Sequence, residues 1–411
     1  MVGNWEEVTV EELVKRGLLE RPIDGNHGSI HPKGSDFISS GVPFIMASDL
    51  VGGGIDTVNC SFIAPEQAKM LRKGFSKTGD VLLSHKATLG RTAIVGMIPG
   101  DFVMLTPQVT YYRSKDYEKL NNRYLKYYFD SQQFQQILES WGGGGSTRAY
   151  LGITAQLRLP ILLPPPTEQK RIARILGALD DKIELNRRMN STLEAVAQML
   201  FQRMFIDRIA DGLPKGWSEE TVSDIGLLNR ASVTPGKFPD EIFSHYSLPA
   251  FDEGRLPKQE AGGKIMSNKT LVSSDSVLIS KLNPRIPRIW LPATTEPNRA
   301  ISSTEFLVVS PKSDVSREFL YCLFANDFFM SKLATMVTGT SGSHQRIRPD
   351  SLLDMKIVVP SKASILDFTN AVAAMLQKVQ SNIEQSRTLA NHRDALLPLL
   401  LNGGVTRSQE T

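Results

Sequence analysis

The chain of 411 residues repeats itself once, and that repeat restricts its fold more than any other feature. "WEEVTVEEL" (residues 5–13) resembles "WSEETVSDI" (residues 217–225), a shift of 217 − 5 = 212. "DVLLSHK" (80–86) resembles "SVLISKL" (276–282), and "ILLP" (161–164) resembles "IVVP" (357–360), both shifted by 196. Gly145-Ser146 recurs as Gly342-Ser343, so the matches keep one order in both halves. Such a duplication builds the same unit twice. Each copy carries short β-branched runs, such as "TAIVGMI" and "TEFLVVS", between turn-rich stretches such as "VGGGID" and "LNPRIP". Helical stretches interrupt them, for example "NNRYLKYYFDSQQFQQIL" and "REFLYCLFANDFFMSKL".

A long helix follows each copy. After the prolines of "LLPPPTEQKRI", Thr167 is expected to cap a helix with Glu168 in its first turn, where the helix dipole favours an acid. Residues seven apart then read Ile172, Leu179, Asn186, Leu193 and Leu200, with Ile175, Met189 and Val196 as the alternate row. Shifted by 196, the seam reads Phe368, Met375, Asn382, Leu389 and Leu396. Asparagine holds the same slot twice. Paired antiparallel, the central Asn186 and Asn382 would face each other and select register; on lone surface helices both would face solvent. A helix from Thr167 to Phe205 has about 39 residues and spans roughly 58 Å at ~1.5 Å per residue, a ruler suited to a ligand that repeats at fixed spacing, as duplex DNA does.

The expected fold is α+β: two mixed α/β domains related by pseudo-twofold symmetry and joined by two long antiparallel coiled-coil helices. The boundaries fall at 1–160 for the first domain, 161–210 for the central helix, 211–356 for the second domain and 357–411 for the last helix and tail. "DGLPKGW" (211–217) is the expected linker.

Composition narrows the class without naming a function. A net charge of +4 permits nucleic-acid binding and does not demand it. No apolar run is long enough to cross a membrane, and the start lacks the pattern of a signal peptide. Cys60 and Cys322 lie far apart without His-rich neighbours, so a cytoplasmic setting and no bound metal are expected.

"GSTRAYLGITAQLRLPIL", followed by "LPPPTEQKRIARILGALDDKIELNRRMN", resembles the central region of type I restriction-modification specificity subunits. The Pro-Pro-x-x-Glu-Gln-x-x-Ile pattern ending at Ile172 carries that resemblance, and "DVLLSHKATLGRTAIV" is similar to a segment of the family's target-recognition domains. The second helix departs from it, following "PSKASILDF" instead. The resemblance implies a non-catalytic subunit that assembles with two methyltransferase subunits and, for cleavage, two restriction-translocase subunits. Each domain would read half of a split site on double-stranded DNA, and the helices would set the gap. S-adenosylmethionine, ATP and magnesium would belong to the partners, with no cofactor in this chain.

Four loops offer side chains of the kinds that contact phosphates and base edges. Residues 23–34 present Asn26, His27, His31 and Lys33. Residues 84–91 present Lys86 and Arg91, and the counterpart at 280–288 presents Lys281, Arg285 and Arg288. Residues 141–150 present Ser146, Thr147 and Arg148, and their repeat at 339–348 presents Ser343, His344, Gln345 and Arg346. Ordinary polar surface loops would share this composition.

Rival chemistries lack their residues. No Asn/Asp-Pro-Pro-aromatic methyltransferase motif, phosphate-cradling Gly-x4-Gly-Lys-Ser/Thr loop or nucleophile elbow is present. Asp350 and Asp354 imitate a nuclease metal site but sit only four apart. The remaining alternative is a coiled-coil scaffold that gathers proteins without reading DNA. Cations at one offset in both halves argue against it.

Overall fold

The computed structural model describes residues 5–98, 100–143, 149–210, 212–293, 296, 298–312, 314–337 and 345–402. The chain forms two compact units: residues 1–182 with 389–411, and residues 183–388. The cuts fall inside the long helices and not at the domain ends expected from the sequence. Each helix end packs against the globular region nearest to it.

In the first unit, Glu6–Thr9 pairs antiparallel with Pro160–Leu163, Glu6 opposite Leu163. In the second, Ser218–Thr221 pairs with Lys356–Val359, Ser218 opposite Val359. The shifts of 212 and 196 read from sequence are therefore the register of equivalent ladders. Behind them, one four-stranded sheet runs through Ile23–Asp24, Val109–Tyr112, Val81–Lys86 and Thr88–Ile94. Its counterpart runs through Gly226–Leu228, Phe306–Pro311, Val277–Ser280 and Ile289–Trp290. A second mixed sheet follows in each unit, four-stranded in the first and five-stranded in the second.

Local chemistry explains the element ends. "VGGGID" is the turn of a hairpin, Leu50–Val51 against Gly54–Ile55, with Gly52 and Gly53 at φ 60° and 80°. A two-residue turn of this kind needs both left-handed positions, which glycine occupies without strain. The helical stretch at 121–138 is two helices, Asn122–Asp130 and Gln132–Trp141. Ser131 is extended between them, and its hydroxyl accepts from the Phe134 N–H. Asn326 divides Arg317–Ala325 from Asp327–Ala334 in the same way. A capping side chain satisfies the new helix's free N–H groups, so breaking the helix costs little.

The first long helix is Pro166–Phe201, 36 residues, followed by a π-helical turn Gln202–Ile206. It begins one residue before the expected cap. Proline at the first helical position loses no hydrogen bond, and the Pro165 carbonyl accepts from both Glu168 and Gln169 N–H groups. Gln169 is buried and explains the Glu-Gln motif. Its Oε1 accepts from the Asn121 N–H at 2.9 Å, while Nε2 donates to the Lys119 and Pro164 carbonyls at 3.1 and 2.9 Å. One amide thus locks the long helix to the start of Asn122–Asp130. Its counterpart in the second long helix, Lys362–Leu401, is the buried, apolar Ile365.

Within the second unit the two helices run antiparallel, Asn186 near Asn382 and Phe201 against Phe368. Both asparagines are buried, but their amides do not pair with each other. Asn186 Nδ2 donates to Gln385 Oε1 at 2.9 Å, Ser386 Oγ at 3.2 Å and the Asn382 carbonyl at 3.4 Å. Asn382 Nδ2 donates to Asn190 Oδ1 at 2.8 Å, one turn further along. The alternate row also lies one residue later than read: Leu176, Asn190 and Ala197 are buried, while Ile175, Met189 and Val196 are half-buried. A helix of 3.6 residues per turn drifts against a strict heptad, and that drift brings Asn190 inward.

Candidate nucleic-acid interface

The strand Val81–Lys86 turns at Ala87 into Thr88–Ile94. Ala87 has φ 65°, a left-handed conformation that costs an L-residue roughly 1–2 kcal/mol. The strain is held by the segment returning from the glycine-rich loop. Ala87 N–H donates to the Ala149 carbonyl at 3.0 Å, Leu151 N–H donates to the His85 carbonyl at 3.0 Å, and Lys86 bridges Tyr150. The second unit repeats this at +196. Asn283, φ 47°, donates to the Gln345 carbonyl at 3.0 Å; Ile347 N–H donates to the Lys281 carbonyl at 3.0 Å; Leu282 bridges Arg346. In each unit the two loops singled out by sequence are one hydrogen-bonded tip. Their contact follows from no local sequence signal, because the segments lie some sixty residues apart.

In the first unit the loop of residues 23–34 joins this tip. Gly25 begins it, packed so closely that a Cβ would lie 1.9 Å from the Leu105 carbonyl oxygen. Asn26 is buried and is not part of the exposed set: its Nδ2 donates to the Lys73 carbonyl at 2.6 Å and its Oδ1 accepts from the Arg72 N–H at 3.0 Å. Buried and held on both sides by backbone, this amide fixes the loop and is not exposed to a base. His27 is half-exposed, with Nε2 2.6 Å from Asp24 Oδ2; Lys73 pairs with the other oxygen of that buried carboxylate. Burial raises the Asp24 carboxyl, but the Lys73 and His27 hydrogen bonds outweigh this and leave it below its ordinary range. His31 packs on Phe44, ring centroids 5.5 Å apart, and burial lowers its pKa. Lys33 is exposed, and its backbone N–H donates to Asp36.

Sequence reading passed over His85. It is buried at the hairpin tip, Nδ1 3.1 Å from the Leu151 carbonyl and its ring 5.8 Å from that of Tyr150. Burial pushes its pKa down to about 4. Lys86 and Arg91 are exposed; Arg91 donates to the Ala47 carbonyl at 3.3 Å, and neither has an ion-pair partner among the described residues.

The second unit presents fewer free cations than expected. Arg288 is only 15% exposed and grips Asp252 through Nε and a terminal nitrogen at 2.7 and 2.9 Å, so it closes the fold and offers no free fork. Arg346 pairs with Glu305 at 3.0 Å. Lys281 and Gln345 are half-buried. Arg285 is exposed, without an ion-pair partner among the described residues. Ser146, Thr147, Arg148, Ser343 and His344 lie outside the described residues. Among the described residues, no cluster of His, Cys, Asp or Glu could hold a metal ion, and no helix is long and apolar enough to cross a membrane.

Residues 4–195 match the family model described as the type I restriction modification DNA specificity domain. The chain is 24% identical over 348 residues to the type I restriction enzyme MjaIX specificity subunit of Methanocaldococcus jannaschii, covering 79% of this chain and 77% of that one. It is 22% identical over 353 residues to the HindI specificity subunit of Haemophilus influenzae, covering 67% and 74%. The crystal structure of a type I restriction-modification system S subunit from M. genitalium shares the fold, with a TM-score of 0.55 at 14% identity, covering 97% of this chain and 96% of that chain.

Proposed function

The chain belongs to the type I restriction-modification specificity subunits, and from that premise we propose that each of its two units reads one half of a split DNA site. The observation that carries this reading is the hairpin tip. Lys86 in one unit and Arg285 in the other stand exposed beside a left-handed residue, Ala87 or Asn283, tied at one register to a returning loop. A scaffold that only gathers proteins has no use for the same strained tip twice. Lys33, Lys86, Arg91, Lys281 and Arg285 supply phosphate and base-edge donors, with His27, His31, Gln345 and Arg346 beside them. Ser146, Thr147, Arg148, Ser343 and His344, outside the described residues, stay in the proposal as candidates named by the sequence.

The chain itself performs no catalysis in this reading. Two methyltransferase subunits dock on it and bring S-adenosylmethionine; two restriction-translocase subunits bring ATP and magnesium chemistry; the assembly works in the cytoplasm. The seam of Asn186, Asn190 and Asn382 fixes helix register and with it the gap between half-sites.

The test is methylome sequencing of a host that lacks methylation, expressing the chain with its cognate methyltransferase subunit, against the same host without the chain. A split adenine-methylated motif that depends on the chain is the expected result. No motif, with a stable complex and active methyltransferase, would overturn the reading in favour of a scaffold.

A further inference from the structure

Two imidazole nitrogens in the first unit, His85 Nε2 and His31 Nδ1, are buried without a hydrogen-bond partner among the described residues. A buried polar atom left unpaired costs about 1–3 kcal/mol, so two on neighbouring side chains ask for an explanation. Their surroundings supply one. His27 and Lys86 lie close enough to act electrostatically on both rings, and Asp24 acts on His85. Lys73 holds the far oxygen of Asp24. Three histidines and two lysines from three separate chain segments therefore converge around one aspartate, with Tyr150 packed on His85 from the returning segment. Asp24 is already engaged by both His27 and Lys73. It cannot also neutralise a charge on His31 or His85, and in the free protein those two rings stay neutral.

We propose that this cluster is a phosphate-binding site, and that it takes up a proton with the phosphodiester it binds. The half-exposed His27 and Lys73 and the exposed Lys86 form its rim. His31 and His85 form its floor. A phosphate seated on the rim adds the anion that the floor lacks, and an imidazolium beneath it becomes favourable. The bound state then holds more protons than the free state, so affinity rises as pH falls. The second unit is built otherwise. Its residue at the His85 position, 196 further on, is Lys281, so the buried imidazole of the floor has no counterpart there. Proton uptake is thus a property of the first half-site alone.

This inference rests on the DNA reading above but is testable apart from it. The chain has six histidines, few enough to follow individually by ring nitrogen resonances in the full-length protein. Two probes are titrated separately, inorganic phosphate and a duplex of arbitrary sequence two helical turns long. Either probe is expected to raise the titration midpoints of His31 and His85 by about one pH unit or more, leaving His245 in the second unit unmoved. Duplex affinity is expected to fall by up to about tenfold per pH unit for each proton taken up. His31→Gln with His85→Gln flattens that dependence. Lys86→Ala, an exposed position, weakens phosphate binding without touching the floor. Phosphate raising the midpoints while the duplex does not bind would sustain the site and sink the DNA reading. Unmoved midpoints with either probe bound, or no phosphate binding at all, would overturn the site.

Discussion

The two units share a frame to the residue, yet they close their long helices against it with opposite chemistry. In the first unit, Lys126 is buried on the helix Asn122–Asp130, 2.8 Å from Asp130 and 3.6 Å from Asp180. Asp180 also accepts from the Tyr127 hydroxyl at 2.6 Å and from Arg393 at 2.8 Å. In the second unit the equivalent positions, 195 or 196 residues away, are Tyr321, Ala325, Leu376, Cys322 and Ala197. Cys322, Leu376 and Ala197 are buried within a core that includes Phe201, Phe319 and Phe368. A charged network around Asp180 and an apolar core around Leu376 therefore fill equivalent places, although Tyr321, at the Lys126 position, reaches the Glu194–Arg255 ion pair through its hydroxyl. What the fold requires there is a filled, satisfied volume, and either chemistry supplies it.

The largest expected effect comes from removing the carboxylate on which the first network converges. Asp180→Ala removes the partner that Lys126 and Arg393 share and leaves them only Asp130 and Asp394. Breaking a buried pair costs about 3–5 kcal/mol, and these second partners and the partial exposure of Asp180 keep the loss near the lower end. Hydrogen exchange on the full chain should show lost protection in residues 1–182 and 389–402, with 183–388 little changed. Equal loss in both units would break the comparison, because it would mean the two cores fold as one. Next comes Leu376→Ala, which opens a cavity in the second unit at a cost of about 2–5 kcal/mol. The loss of protection should then fall within 183–388. Together the two variants separate a failure of charge pairing from a failure of packing at one position of the frame.

The sequence made the frame legible and hid what fills it. Heptad spacing located both long helices, because their buried faces must recur about every three and a half residues. It misplaced the alternate row by one, since Asn190 and Leu176 follow true helical periodicity and not the idealised repeat. The Glu-Gln motif was visible, but the use of Gln169 as a clamp on Asn121 and Lys119 depends on contacts about fifty residues away. Among candidate DNA contacts, residue type alone could not tell Arg285 from Arg288. Asp252, which takes Arg288 out of play, comes from a segment 36 residues earlier. His85 escaped notice because it follows the apolar run Val81–Leu83 on one strand, where an imidazole reads as core.

The smallest expected effect uses the same comparison and only a change of pH. Burial by itself pushes the Asp180 carboxyl up, but the Lys126 charge, the Tyr127 hydroxyl and Arg393 outweigh it and hold the folded-state pKa below its ordinary value of 3.8. A carboxylate depressed in the folded state binds fewer protons there than in the unfolded chain. Its contribution is complete above the unfolded value, near 3.9, and is lost as pH falls through the folded one. Asp180 is still partly open to solvent, so the effect is modest and belongs to the range below about pH 4. Leu376, in the equivalent place, titrates nothing. Unfolding followed separately by exchange in each unit should therefore show residues 1–182 losing stability on acidification more steeply than 183–388 through this contact. Asp180→Asn keeps the shape, removes the titration and should flatten the difference. If the variant unfolds with the same acid slope as the parent, the network is not what makes the first unit acid-sensitive, and the two fillings differ in composition without differing in consequence.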